Sequence, residues 1–184
     1  MKIFIFILCA FEVGCSLAQS ASPSKSKYAS LSTTTEDMRR IGSLFLMDSI
    51  SADDNEITFA CMDSILSTHK GTRDYFFPVF EKIAMQADGS VAEIIGSYTL
   101  VYLKKYPHEF LDRYRCCQKD EPCCQKLVLL ATFLGEETMM DDDKAKVYHE
   151  LMDALKVSHK NQKKENALAL LMRTVDATRK NWKD

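Results

Sequence analysis

Glycine and proline are scarce in this sequence of 184 residues, which contains only six glycines and four prolines. Collagen-like chains, low-complexity chains and turn-rich all-β folds all need far more of these two residues. A basic excess is missing too, because the formal net charge is −2. A chain without a basic field has no general attraction for nucleic acid, so we expect no nucleic-acid partner.

The common catalytic and metal-binding motifs are also missing. His108 and His149 are each followed by glutamate, but neither has the second histidine that a zinc-protease helix places one turn further on. The sequence contains no nucleophile elbow, phosphate-binding loop or dinucleotide fingerprint. The acidic run 141–143 lacks the alternating ligands of a calcium loop and fits better as the start of a helix. We therefore expect a non-catalytic protein with no cofactor.

The first eighteen residues have the pattern of a signal peptide. Lys2 precedes an apolar run from Ile3 to Phe11, and small residues stand at the last and third-last positions before a predicted cut after Ala18. This run is far shorter than the roughly 20 residues that cross a bilayer. The alternative is a lipoprotein that is cleaved before Cys15 and acylated on that cysteine.

These features predict a secreted or periplasmic protein of bacterial type with no transmembrane span, or in the alternative a lipid-anchored one. Residues 19–32 are rich in serine, alanine and lysine, and they are predicted to form a flexible leader. Residues 33–184 are predicted to form a single domain.

Helix start signals divide this domain into eight predicted helices. The signals are capping boxes at Thr33/Glu36 and Ser90/Glu93, a similar pair at Asp53/Glu56, first-turn prolines at Pro107 and Pro122, and turns at Gly71 and Gly89. The predicted helices cover residues 34–50, 54–69, 74–87, 90–105, 107–118, 122–137, 142–158 and 162–181. Gly96 and Ser97 lie within an apolar helix and predict close helix packing. Apolar residues recur along the helices at the three-and-four spacing of an amphipathic helix. The predicted core stripes are Phe76, Phe80, Ile83 and Ala87; Val91, Ile94, Ile95, Tyr98, Val101 and Tyr102; Leu127, Leu130, Ala131 and Leu134; Tyr148, Leu151, Met152 and Leu155; and Leu168, Leu171, Val175 and Trp182. Pro78 is expected to kink the third helix or to mark its first turn.

A weak internal repeat links these helices. Phe76, Phe80 and Ile83 correspond to Phe110, Tyr114 and Cys117, and Ile94, Ile95, Tyr98 and Val101 correspond to Leu127, Val128, Ala131 and Leu134, at offsets of 34 and 33. In this period the chain resembles HEAT-like and other α-α helical-repeat proteins over most of residues 34–181. The run Tyr106–Leu111, in which a proline opens a helix, resembles repeat proteins among exported bacterial chains. The resemblance implies an all-α fold of four antiparallel hairpins stacked in a short superhelix. The alternative is an irregular helical bundle.

Five cysteines follow the predicted signal peptide. An exported protein meets oxidising conditions, so we expect a disulfide across the turn that joins the fifth and sixth helices. The candidates are Cys116, Cys117, Cys123 and Cys124. Buried free thiols are one alternative. A metal site is another: the spacing does not suit zinc, but copper(I) tolerates such a thiolate cluster better, and Met139 and Met140 would add soft ligands if they lie near it. Cys61 lies alone on a helix stripe and is predicted to be a buried, inert thiol.

These observations favour a protein-binding module. The resemblance to stacked repeats implies a concave face on the even-numbered helices, and the candidate partner-binding residues there are Glu93, Leu100, Lys104, Lys126, Phe133 and Glu137. Leu100 and Phe133 either form an exposed apolar patch with a charged rim or pack against each other. A narrower version is an immunity or inhibitor protein against an exported toxin. The alternative from another class is a cysteine-based metal or redox protein.

Overall fold

The structure, a computed structural model, describes residues 35–115, 122–140, 143–156 and 165–182. The predicted signal peptide 1–18, the leader 19–32, Thr33, Cys116, Cys117 and residues 141–142 lie outside these ranges. The described residues form eight α-helices and no strand, which confirms the all-α fold class. They are α1 (Thr35–Leu46), α2 (Glu56–Ser64), α3 (Lys70–Gln86), α4 (Gly89–Lys105), α5 (Pro107–Arg113), α6 (Pro122–Met140), α7 (Lys144–Lys156) and α8 (Glu165–Asn181).

The first two helices are shorter than predicted. α1 ends at Leu46 rather than near residue 50, and Asp48 just beyond it has a left-handed backbone with φ of 55°. α2 is capped by Asn55, whose Oδ1 accepts the backbone N–H groups of Ile57 and Thr58 at 3.0 Å each. The prediction of a cap at Asp53 is therefore wrong, because the asparagine side chain satisfies these N–H groups.

α3 begins earlier than predicted. His69 is its N-cap, and the His69 Nδ1 accepts the backbone N–H of Thr72 at 3.3 Å. Gly71 consequently lies in the first turn of α3 and not in the preceding turn, which corrects the prediction. Pro78 lies inside the helix, so it does not mark the first turn.

The start of α4 also differs from the prediction. Asp88 occupies the N-cap position, so the capping box predicted for Ser90 and Glu93 does not begin this helix. Gly89 has a φ of 46°, a left-handed conformation that glycine adopts without steric cost. The short connection from α3 into α4 depends on this glycine. Pro107 opens α5 and Pro122 opens α6, as predicted.

α6 packs closely against both α4 and α8. Two glycines allow this approach. A Cβ atom on Gly96 would lie 2.4 Å from the carbonyl oxygen of Phe133, and a Cβ atom on Gly135 would lie 2.7 Å from the Cβ of Thr178. The prediction that Gly96 marks close helix packing is confirmed. The stacked hairpin arrangement stays a prediction.

The core consists mainly of the predicted stripes. Phe76, Phe80, Ile83, Val91, Ile95, Tyr102, Leu127, Leu130, Ala131, Leu134, Leu151, Leu155, Leu168, Leu171 and Val175 are all buried. Cys61 is fully buried, and burial raises the pKa of its thiol to about 12, which matches the predicted inert thiol. Trp182, predicted to continue the core stripe of α8, is only half-buried because it lies one residue beyond the end of the helix. None of the described helices is both long enough and apolar enough to cross a bilayer.

Candidate functional site

A groove of about 570 Å³ runs between α6 and α8. Its wall on α6 includes Glu136, the residue that follows Gly135. Its wall on α8 consists of Arg173, Thr174, Ala177, Thr178, Asn181 and Trp182. The groove therefore lies beside the point where Gly135 brings the two helices together, and it combines polar groups with the only tryptophan of the chain.

The two charged side chains of the groove have no partner among the residues that the structure describes. Neither Glu136 nor Arg173 forms an ion pair or a side-chain hydrogen bond with any part of the chain that the structure describes. Glu136 is half-buried, and its burial raises the pKa of the carboxyl group. Arg173 is exposed. Burial without a partner destabilises the charged form of the Glu136 carboxyl group. Packing alone therefore does not explain this glutamate.

The C-terminal half of α8, which Trp182 directly follows, is anchored to α7. The Tyr148 hydroxyl donates to Asp176 Oδ1 at 2.9 Å, and the Arg179 guanidinium stands over the Tyr148 ring at 3.9 Å. Burial raises the pKa of the Tyr148 hydroxyl, and the hydrogen bond to Asp176 raises it further. These contacts fix the rotation of α8 and so keep Arg173 and Trp182 on the groove side.

A second cavity, of about 360 Å³, lies between α3, α5 and α6. Its buried carboxylate, Glu81, accepts the Tyr114 hydroxyl at 2.6 Å and the Lys126 ammonium at 2.8 Å. Arg113, on the other side, donates to Asp74 at 2.7 Å. Because these charged groups satisfy one another, the cavity is explained as a junction that holds three helices together.

A buried arginine holds α3 to α5. Arg73 is only 4% exposed, and its guanidinium forms two hydrogen bonds with Glu109, at 2.6 and 3.0 Å. It also donates to the backbone carbonyls of Ser67 and Thr68 and lies 3.8 Å from the ring centre of Tyr106. The hydrogen bond from Arg73 holds the pKa of the Glu109 carboxyl below its usual range. All these bonds are internal, so the arrangement stabilises the fold.

The α4 residues of the predicted binding face do not form an exposed apolar patch. Leu100 is 8% exposed and belongs to the core. Lys104 pairs with Glu150 of α7 at 2.6 Å. Glu93 is exposed. This stripe therefore presents two charged side chains at the surface, Glu93 and the paired Lys104, while Leu100 is buried between them.

The α6 residues of the same predicted face also make internal contacts. Lys126 pairs with Glu81, and Glu137 accepts the Ser97 hydroxyl at 2.7 Å. Phe133 is partly buried and packs against the core. The structure thus brings Ser97, Phe133 and Glu137 together at the α4–α6 contact, whereas Lys126 lies at the cavity between α3, α5 and α6.

The cysteine prediction depends on residues outside the described ranges. Cys123 is half-buried and lines the cavity between α3, α5 and α6, and Cys124 is buried in the first turn of α6. Their predicted partners, Cys116 and Cys117, are not described, so the disulfide stays a prediction. Within the described ranges, no group of three or more histidine, cysteine, aspartate or glutamate side chains is placed to hold a metal ion.

The α6–α8 groove contains the residues that sequence reasoning did not identify. Trp182 was grouped with the core stripe of α8, and Arg173 and Glu136 belong to no motif. The signal that the sequence did contain was Gly135, because a glycine inside an apolar helix indicates a close helix contact in the same way as Gly96. In comparisons with known proteins, no protein-family model, curated protein or solved structure matches this chain. The site is therefore interpreted from its own geometry.

Proposed function

We propose that this chain is an exported, non-catalytic protein-binding module whose partner binds in the α6–α8 groove. The observation that supports this proposal is the unpartnered, half-buried Glu136 beside Arg173 and Trp182. Residues that break a local stability rule, such as an unpaired half-buried carboxylate, are expected to concentrate at functional sites. Tryptophan and arginine are the side chains most enriched among the residues that dominate binding energy at interfaces.

Export of this protein is proposed from the signal-peptide pattern of residues 1–18. Intact-mass analysis of the protein recovered from its expressing cells tests this part. Loss of residues 1–18 supports simple secretion, and a new N-terminus at Cys15 with added acyl mass supports the lipid-anchored alternative. Retention of Met1 contradicts export by a cleaved signal.

Site-specific photocrosslinking tests the binding surface. A photoreactive amino acid replaces Ala177, which is exposed inside the groove, and Ala145, an exposed alanine on α7, is the matched control position. We expect a discrete crosslinked protein from position 177, and we expect Trp182→Ala to abolish it because the ring forms one end of the groove.

A third position, Glu93, tests the α4–α6 face in the same experiment. Crosslinking from position 93 but not from position 177 would move the binding surface to that face. Equal crosslinking from positions 177 and 145 would show unspecific contact and would contradict the proposal.

A further inference from the structure

The groove has a defined direction along α8. Its α8 residues follow one another at helical spacing from Arg173 to Trp182. At 1.5 Å per helical residue, this stretch is roughly 13 Å long. Gly135 packs against Thr178 and the Val175 carbonyl, so its neighbour Glu136 stands between the two ends. The order along the groove is therefore Arg173, Glu136, Trp182.

Arg173, Glu136 and Trp182 each favour a different kind of partner side chain. A guanidinium pairs best with a carboxylate, with which it forms two parallel hydrogen bonds. A half-buried carboxylate that lacks a partner gains most from a cationic donor, because burial already disfavours its charged form. A half-buried indole accepts an apolar or aromatic side chain. Glu136 and Arg173 do not pair with each other, so each can take its opposite charge from a partner.

We propose that the groove binds an extended segment of another protein that carries an acidic, a basic and an apolar side chain in that order. The acidic side chain meets Arg173, the basic one meets Glu136, and the apolar one packs against Trp182. An extended chain advances about 3.3 Å per residue, so the three side chains lie within about five residues. This inference rests on the proposed function, since it assigns the chemistry of the partner to the same groove.

The charge arrangement distinguishes this partner from others. A polyanion such as nucleic acid would place negative charge against Glu136, and a purely basic peptide would place positive charge against Arg173. Only a segment that carries both signs in the stated order satisfies the two groups at once.

A library of random twelve-residue peptides displayed on phage provides the test. Peptides are selected on the purified chain, and enriched sequences are synthesised and titrated while Trp182 fluorescence is recorded. We expect enriched sequences with the acidic, basic, apolar order, and binding that changes the fluorescence of this single tryptophan.

Charge-reversal variants make the assignment specific. Arg173→Glu should weaken binding of the parent peptide by about tenfold or more and should select a basic side chain at the first position. Glu136→Lys should select an acidic side chain at the second position. Arg40→Glu on α1 and Glu56→Lys on α2 are matched controls, because both side chains are exposed outside the groove, and they should select the parent sequences. If a reversal variant does not fold, Glu136→Gln provides the substitute test, because it keeps the shape of the side chain. This variant should lose the preference for a basic residue at the second position.

The outcomes separate this inference from the proposed function. Enriched peptides that change Trp182 fluorescence but share no charge pattern overturn the inference and leave the groove as a binding surface. Selection of the parent sequences by both charge-reversal variants overturns it as well. Peptides that bind without changing the Trp182 fluorescence, or a failure to enrich any peptide, overturn the inference. Crosslinking from position 177 then tests the proposed function independently. A Trp182-dependent dimer in sedimentation would overturn it in favour of a second copy of the chain.

Discussion

The close approach of α4 to α6 predicts that Gly96→Ala destabilises the fold. The added Cβ would lie 2.4 Å from the Phe133 carbonyl oxygen and 2.8 Å from the Glu137 Cβ. The nearest atom belongs to a helical backbone and cannot rotate away, so α4 and α6 have to separate. Separation also strains the hydrogen bond of 2.7 Å from Ser97 to Glu137, which spans the same contact.

The expected size follows from two opposing effects. Alanine is favoured over glycine inside a helix by up to about 1 kcal/mol. Overpacking a tight contact costs about 1–3 kcal/mol, and loss of a hydrogen bond adds about 1 kcal/mol. The steric cost exceeds the gain in helix propensity, so we expect a net loss of about 1–3 kcal/mol in the free energy of unfolding. For a domain of this size, the melting temperature should fall by roughly 2–12 °C.

Thermal and urea unfolding followed by circular dichroism at the helical band measure this change. Gly71→Ala is the matched control, because a Cβ there meets only the His69 ring at 3.0 Å, and that exposed side chain can move. The control should stay within about 1 kcal/mol of the parent, because the gain in helix propensity offsets the weakening of the 3.3 Å cap bond from Thr72 to His69. A Gly96→Ala variant as stable as the parent would refute the inference that this glycine sets the distance between α4 and α6.

Three further predictions concern the buried ion pair and the cysteines. Arg73→Met should lower the free energy of unfolding by about 3–5 kcal/mol, because it leaves Glu109 without its buried partner; urea denaturation measures this, and a loss below 1 kcal/mol would contradict it. Glu109 has a lowered pKa, so its contribution to stability is present above its ordinary pKa of roughly 4.3 and is lost as the pH falls through the lowered value. Glu109→Gln should therefore flatten the acid side of the curve of melting temperature against pH, and an unchanged curve would argue against this linkage. Non-reducing peptide mapping of the exported protein should find a disulfide between residues 116–117 and residues 123–124. Four thiols there would favour the free-thiol alternative, and stoichiometric bound copper or zinc would favour the metal alternative.

Much of the helical fold was predictable because the sequence encodes helices locally. A helix is recognisable from apolar residues at three-and-four spacing, and Leu127, Leu130, Ala131 and Leu134 of α6 were all placed correctly in the core. The prolines that open α5 and α6 were also correct, because a proline at the first helical position acts within one turn.

The helix caps were less predictable because neighbouring polar residues compete for the same role. Asp53 and Asn55 both suit an N-cap, and the choice of Asn55 depends on which side chain reaches the N–H groups of Ile57 and Thr58. His69, which caps α3, has no strong cap preference, so nothing in its local sequence indicated the start at Lys70.

The candidate site was the least predictable part, because which helix faces are covered depends on packing between distant elements. Leu100 and Lys104 lie off the main apolar stripe of α4, and only the tertiary structure shows that Leu100 is buried and that Lys104 pairs with Glu150 of α7. Likewise, Glu136 and Arg173 are ordinary charged residues in the sequence, 37 positions apart.

The sequence by itself determined the all-α class, most of the core stripes and the close contact at Gly96, since each depends on a spacing or a residue size that is visible locally. Only the tertiary structure decided that Gly135 brings α6 against α8, that Trp182 leaves the core, and that Glu136 and Arg173 meet in one groove. The physical reason is that a helix has several faces, and the one that stays open to a partner is fixed by the elements that pack on the others.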